Sequence, residues 1–184
     1  DSDGTFLINR ANGGIYTNLT NTLEFTSFDN LVGGDATDTF YFGSGGTIAN
    51  SISGGNGVDE INYSLYDSAV LVDLSVGSAT GVNGGVAASV FAIENITGSI
   101  YADTLTGDAN DNQINGLGGN DLLTGLSGND TYIFQNGWGT DTVVESAGGG
   151  SDTYDFAAAT IDLLFTQNAN LLVSGGSNTV TSSQ

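Results

Sequence analysis

Residues 98–133 divide without remainder into four nine-residue units, GSIYADTLT, GDANDNQIN, GLGGNDLLT and GLSGNDTYI. The sixth position of each is an acid or its amide (Asp103, Asn112, Asp121, Asp130), and the eighth is apolar (Leu105, Ile114, Leu123, Tyr132). A period this short, held in register over consecutive units, restricts the chain severely. One unit has room for a tight turn and a short strand, and it cannot bury its own apolar residue. The units must therefore stack.

The same unit recurs out of phase as GGDATDTFY (33–41), GGNGVDEIN (54–62), NGWGTDTVV (136–144) and AGGGSDTYD (147–155). Two residues after each acid stands an apolar residue: Phe40, Ile61, Val143 and Tyr154. Glycine at the early positions permits positive φ in the turn and leaves no Cβ between stacked coils. Such turns point carbonyl oxygens inward, and the Asp at position six adds a charged oxygen. The last three residues form a strand whose middle side chain faces the interior. With two units per coil, units n and n+2 stack one strand spacing apart, about 4.8 Å. Asp103 is then expected beside Asp121, and Asn112 beside Asp130. Asp38 and Asp59 are 21 residues apart, so spacing does not assign their partners.

Composition decides which ligand suits these corners. The 184 residues hold 21 acids and one base, Arg10, for a net charge of −20. Such a charge disfavours nucleic acid and anionic lipid as partners. Hydrophobic residues still make up 39% of the chain, enough for a core if cations offset the acids. Cys, His, Met and Pro are absent, which removes disulfides and thiolate or imidazole metal sites. Hard oxygen donors remain, and these suit calcium, which takes about six to eight oxygens at about 2.3–2.6 Å. No run of about 18 apolar residues is present, so membrane insertion is not expected. With no initiator Met and no signal peptide, the sequence reads as a processed chain or a fragment.

Helical periodicity is absent while alternation is common, so the expected class is all-β. Val70, Val72, Leu74 and Val76 read as one buried strand face, as do Ile161, Leu163 and Phe165. We expect a single body over 1–184: N-terminal strands (1–32), first repeats (33–62), a strand insert (63–97), the main array (98–156), and closing strands with a polar tail (157–184). Asp67, Asp73 and Asp162 fall in strand patterns and are expected to face water. Trp138, Tyr132 and Phe134 are expected in the core.

The pattern resembles the calcium-binding repeats of the RTX, or hemolysin-type, family, with consensus GGxGxDxUx. GGNGVDEIN matches it fully, GLGGNDLLT and GLSGNDTYI closely, and the resemblance spans roughly residues 29–156. It implies a parallel β-roll or β-solenoid that folds around several Ca2+ ions, in a protein exported by type I secretion. Carried over, it implies metal ligation by Asp38, Asp59, Asp103, Asn112, Asp121, Asp130, Asp141 and Asp152, with the turn residues Gly34, Gly55, Gly57, Gly119, Gly128 and Gly139. Asn112 departs from the consensus acid. Ile100 and Tyr101 are bulky where the Asp103 turn should be small.

Catalysis is not expected, since no Ser–His–Asp or Cys–His set and no Schiff-base lysine can be built. The expected role is an extracellular structural or adhesive module that self-associates end to end as a homo-oligomer or filament. The alternative is the secretion and folding module of an exported enzyme.

Overall fold

The structure, a computed structural model, describes residues 2–19, 21–145, 149–161, 164–167, 171–175 and 178–183, without side-chain burial for 162–177 or 182–184. The chain opens with β1 (Gly4–Arg10), β2 (Gly13–Asn18) and β3 (Asn21–Thr26), then β4 (Asn30–Val32), β5 (Asp38–Gly43), β6 (Ser51–Ser53) and β7 (Glu60–Leu65). A middle section holds β8 (Leu71–Asp73), β9 (Ser78–Ala79), β10 (Val90–Phe91) and β11 (Asn95–Thr97). The array follows as β12 (Thr104–Thr106), β13 (Gln113–Asn115), β14 (Leu122–Thr124), β15 (Thr131–Ile133), β16 (Thr140–Val144) and β17 (Thr153–Asp155). The chain closes with β18 (Leu164–Gln167), β19 (Leu171–Gly175) and β20 (Asn178–Ser183). Among the described residues there is no α-helix.

Strands three residues long are what a nine-residue unit allows, and they alternate between facing sheets. One sheet runs β17-β15-β13-β11-β7-β5-β1-β2-β3; the opposite wall is β10-β6-β4 in the N-terminal part and β18-β19-β20-β16-β14-β12-β8-β9 beyond it. From β1 to β17 every pairing within the first sheet is parallel, as a coil that always climbs in one direction requires. This is the parallel β-roll, and the sheets do not close into a barrel. The flanking strands depart from it. β2 and β3 add as an antiparallel meander to β1, and β18, β19 and β20 add as another to β16.

The core is a pair of columns built from the eighth position of the unit. In the first sheet Phe6, Phe40, Ile61, Ile96, Ile114, Tyr132 and Tyr154 lie in register, one per coil. Facing them, Leu31, Ile52 and Val90 form one column and Val72, Leu105, Leu123 and Val143 another. All but Tyr154, which is half-buried, are buried. The aromatic members stack, with ring centroids 4.7 Å apart for Phe6 and Phe40 and 5.7 Å for Tyr132 and Tyr154. Phe134 stacks on Phe156 at 4.9 Å and meets the edge of buried Trp138 at 5.9 Å, placing both in the core.

Residues 63–97 are woven into the coils rather than carried outside them. β8 pairs with β12, β10 with β6, and β11 takes its place between β7 and β13. The strand face expected over Val70–Val76 is shorter than the alternation suggests. Val70 and Val72 are buried, Leu74 is half-buried and Val76 is 51% exposed. The chain turns there, with Gly77 at φ +67°, so the alternation continues in sequence after the strand has ended. Ile161 is half-buried and lies outside any strand. Leu163, Asp162 and the side chain of Phe165 lie outside the described residues. Asp67 is exposed and accepts from the Ser44 hydroxyl at 2.5 Å; Asp73 is half-buried and accepts from Ser75 at 2.6 Å.

Leu123 is fully buried between Leu105 and Val143, where neighbouring coils cannot collapse without losing register. Leu123→Ala should therefore destabilise the roll by roughly 2–5 kcal/mol. Urea titration at saturating calcium measures this, with exposed Leu71→Ala as the comparison expected to change little.

Candidate metal centre

Each coil turns twice, so the sixth-position acids fall into two columns, one at each corner of the roll. At the corner leading into the first sheet the main-chain N–H of Asp38 donates to Asp59 Oδ1 at 2.7 Å, and that of Asp59 to Glu94 Oε2 at 2.8 Å. Further along, Asn112 N–H donates to Asp130 Oδ1 at 2.8 Å and Asp130 N–H to Asp152 Oδ1 at 3.0 Å. At the opposite corner Val70 N–H donates to Asp103 Oδ1 at 2.8 Å, Asp103 N–H to Asp121 Oδ1 at 2.9 Å, and Asp121 N–H to Asp141 Oδ1 at 3.0 Å. One carboxylate oxygen per acid thus splices each coil to the one before it. The pairs Asp103–Asp121 and Asn112–Asp130 are those the 18-residue coil length predicts, and Asp38 meets Asp59 across 21 residues.

The second oxygen behaves in two ways. In Asp38 and Asp103 it is satisfied from within its own turn, by Gly34 N–H and by Ser99 N–H, each at 2.6 Å. The Ser99 hydroxyl adds a bond of 2.9 Å to Asp103 Oδ1. In Asp59, Asp121 and Asp130 the Oδ2 atom is buried with no hydrogen-bond partner. A buried acceptor left unpaired costs about 1–3 kcal/mol, and more when charged. The three orphaned atoms mark places where a cation fits and a protein donor is missing.

Their protonation chemistry agrees. Burial raises the Asp121 carboxyl from 3.8 to about 8, against the Asp103 N–H that lowers it, with the charges of Asp141 and Asp103 adding to the rise. Burial likewise lifts Asp141 to about 7 and Asp59 to about 6; the Glu94 and Asp38 charges add to the latter. Asp103 and Asp130 are also raised, again by burial first. A stack of buried like charges favours the neutral acid unless a metal ion replaces the lost solvation.

Main-chain carbonyls complete the oxygen-rich corners. Gly119 and Gly128 have φ of +135° and +116°, which favours glycine, and each lies against a carbonyl of the coil before it. A Cβ on Gly119 would stand 2.5 Å from Tyr101 O, and one on Gly128 would stand 2.4 Å from Asn110 O. Gly55, Gly57 and Gly139 face the carbonyls of Gly34, Ala36 and Gly119 in the same way, and Gly34 O also accepts from Asn56 N–H at 2.9 Å. The expected glycines therefore line the corners beside the acids.

Two positions differ from the consensus picture. Asn112 Oδ1 accepts from Asp108 N–H at 2.8 Å and its Nδ2 donates to Glu94 O at 2.8 Å. The amide itself thus supplies a donor across this corner. Glu94 lies outside the glycine-marked repeats, yet it occupies the acid's place in its coil. Its unit, SVFAIENIT (89–97), has no glycine. The acid followed two residues later by Ile96 was the available signal.

Hard oxygens at both corners, orphaned carboxylate atoms and the absence of His and Cys fit calcium. Comparison with known families agrees: the RTX calcium-binding nonapeptide repeat matches the chain in four copies, over residues 26–49 and 97–132. No curated protein is significantly similar to the chain.

The raised carboxyls give the metal-free roll a definite pH dependence. An acid whose folded value lies above its unfolded value of 3.8 contributes stability fully below that value, and loses it as pH rises through the folded value. Melting temperature in chelator should fall as pH is raised from about 4 through about 6, about 7 and about 8, the values of Asp59, Asp141 and Asp121. Calcium, which needs the ionised form, should reverse the trend. A metal-free melting temperature that rises over this window would contradict the assignment.

Proposed function

We propose that this chain, which carries RTX calcium-binding nonapeptide repeats, is a non-catalytic extracellular structural module. Calcium is its folding switch, and the roll joins further copies end to end. The observation that carries the reading is the set of buried, unpaired oxygens on Asp59, Asp121 and Asp130. Bound calcium would supply the positive charge these corners lack.

The chain's own residues do the rest. Asp59, Asp121 and Asp130 offer a free oxygen, while Asp38, Asp103, Asp141 and Asp152 hold the same columns in line. Turn carbonyls at Tyr101, Asn110 and Gly119 add neutral donors. Because the acids of one corner come from several coils, an ion there ties together segments that are separate in the unfolded chain. Binding free energy then becomes folding free energy. Among the described residues no helix is long and apolar enough to cross a membrane.

Assembly through the ends is supported by the edges of the first sheet. Among the described residues β3 and β17 each pair on one side only. Edge strands offer unpaired backbone groups to another chain. The β3 edge is also where the sole cation, Arg10, sits, paired to Glu24 at 2.6 Å. The solenoid has no helical cap at either end among the described residues.

Above about pH 8, where Asp121 is ionised, thorough chelation should abolish the far-UV circular dichroism signal of the β-roll, and added calcium should restore it. Asp121→Ala should move the calcium midpoint of that recovery upward, and exposed Asp67→Ala should leave it in place. A β signal indifferent to chelation would refute the calcium switch. For assembly, light scattering at millimolar calcium should show species larger than one chain; a strictly monomeric solution would rule out end-to-end joining.

A further inference from the structure

The register of β14 on β16 pairs Leu122 with Thr142, Leu123 with Val143 and Thr124 with Val144. The next residues along are Gly125, first glycine of its unit, and Glu145. One coil earlier the same place is held by Gly107, whose N–H donates to Thr124 O at 2.8 Å. An acid with a long side chain thus stands where the two preceding coils have glycine, and where the coil of β8 has Leu74.

In the two preceding coils that place has no room for a side chain. A Cβ on Gly107 would lie 2.2 Å from Asn112 Oδ1, and one on Gly125 would lie 2.1 Å from Asp130 Oδ2. Glu145 also stands further in sequence from the next acid of its corner. Gly125 precedes its acid by five residues, whereas Glu145 precedes Asp152 by seven.

Close to Glu145 lies the carboxylate of Asp130. Asp130 is 1% exposed, and its Oδ2 is buried without a hydrogen-bond partner. That atom and the Tyr132 hydroxyl crowd the same side of Gly125, 2.1 Å and 2.5 Å from where a Cβ would stand. The Tyr132 hydroxyl donates to Glu145 Oε1. Glu145 is therefore held, from the core side, with its carboxylate toward Asp130. Ligand atoms of Asp130, Glu145 and Asp152 all lie within 4.8 Å of one another.

We propose that Glu145 completes a three-carboxylate cation site with Asp130 and Asp152, a site the nine-residue pattern does not encode. The ligand class is a hard divalent cation with oxygen donors, calcium being the natural occupant. Three carboxylates make this corner more negative than one built from two stacked aspartates, and charge count is a main determinant of calcium affinity. Tyr132 is a positioning residue: it orients Glu145 and carries the eighth-position core contact at once.

This assignment rests on the calcium reading above, and the test separates the two. Calcium uptake by the full chain is titrated calorimetrically for the unaltered protein, Glu145→Gln and Tyr132→Phe. The unaltered chain should show a tight class of sites. Glu145→Gln should weaken one of these by roughly tenfold or more, as expected for loss of a charged ligand, and leave the remaining sites in place. Tyr132→Phe keeps the ring in the core and removes the hydroxyl; roughly tenfold weakening is expected of a lost orienting partner. It also decides the matter should Glu145→Gln fail to fold. Titrations of both variants that superimpose on that of the unaltered chain would overturn the Glu145 site while leaving the calcium switch intact. Absence of calcium uptake by the unaltered chain would overturn both.

Discussion

A main-chain N–H at all but the Glu94 corner donates to a carboxylate of the following coil, and the remaining features of the roll are arranged around that bond. It recurs from Asp38 to Asp59, from Asp103 to Asp121 and from Asp130 to Asp152, at 2.7–3.0 Å. The bond sets the rise from coil to coil and fixes which acid stacks on which. It also forces a column of carboxylates out of water. Hydrogen bonding to one oxygen offsets part of that desolvation; the other oxygen is left for something else.

The apolar columns inside and the acidic columns at the corners are two consequences of one period. A residue two positions after each acid points inward because strand side chains alternate, and stacking then brings Phe40, Ile61, Ile96 and Ile114 into one line. Hydrophobic burial holds the walls but does not by itself neutralise the corners. Where the corner acid is replaced by Asn112, the amide spans the gap to Glu94 O with its own donor. Where the turn lengthens before Asp152, a further carboxylate enters. Local departures from the repeat thus change the charge of a corner without changing the coil.

Much of this was legible along the chain. Leu105, Ile114, Leu123 and Tyr132 could be named as core residues because their spacing is regular, and all four are fully buried. The partners of Asp121 and Asp130 followed from the 18-residue coil. Glu94 was not legible as a corner residue because its unit lacks the glycines by which the others are recognised. The alternation over Val70–Val76 overstates the strand, which spans Leu71–Asp73, because alternation in a sequence does not report where a turn cuts the strand. The antiparallel meanders at both ends carry no repeat, and they join the roll through pairings far apart in sequence, β1 on β5 and β20 on β16.

The sequence by itself determined the period, the all-β class, the inward residues and the hard-oxygen character of the ligands. Those are properties of spacing and side-chain chemistry, which survive in any chain that stacks its repeats. Only the tertiary structure decided which carboxylate oxygens find a donor. Asp103 and Asp121 occupy the same position of the same unit, yet Ser99 satisfies the first while the second is left buried and unpaired. That difference depends on which neighbours surround each oxygen after stacking, and Glu145 reaches the Asp130 corner for the same reason.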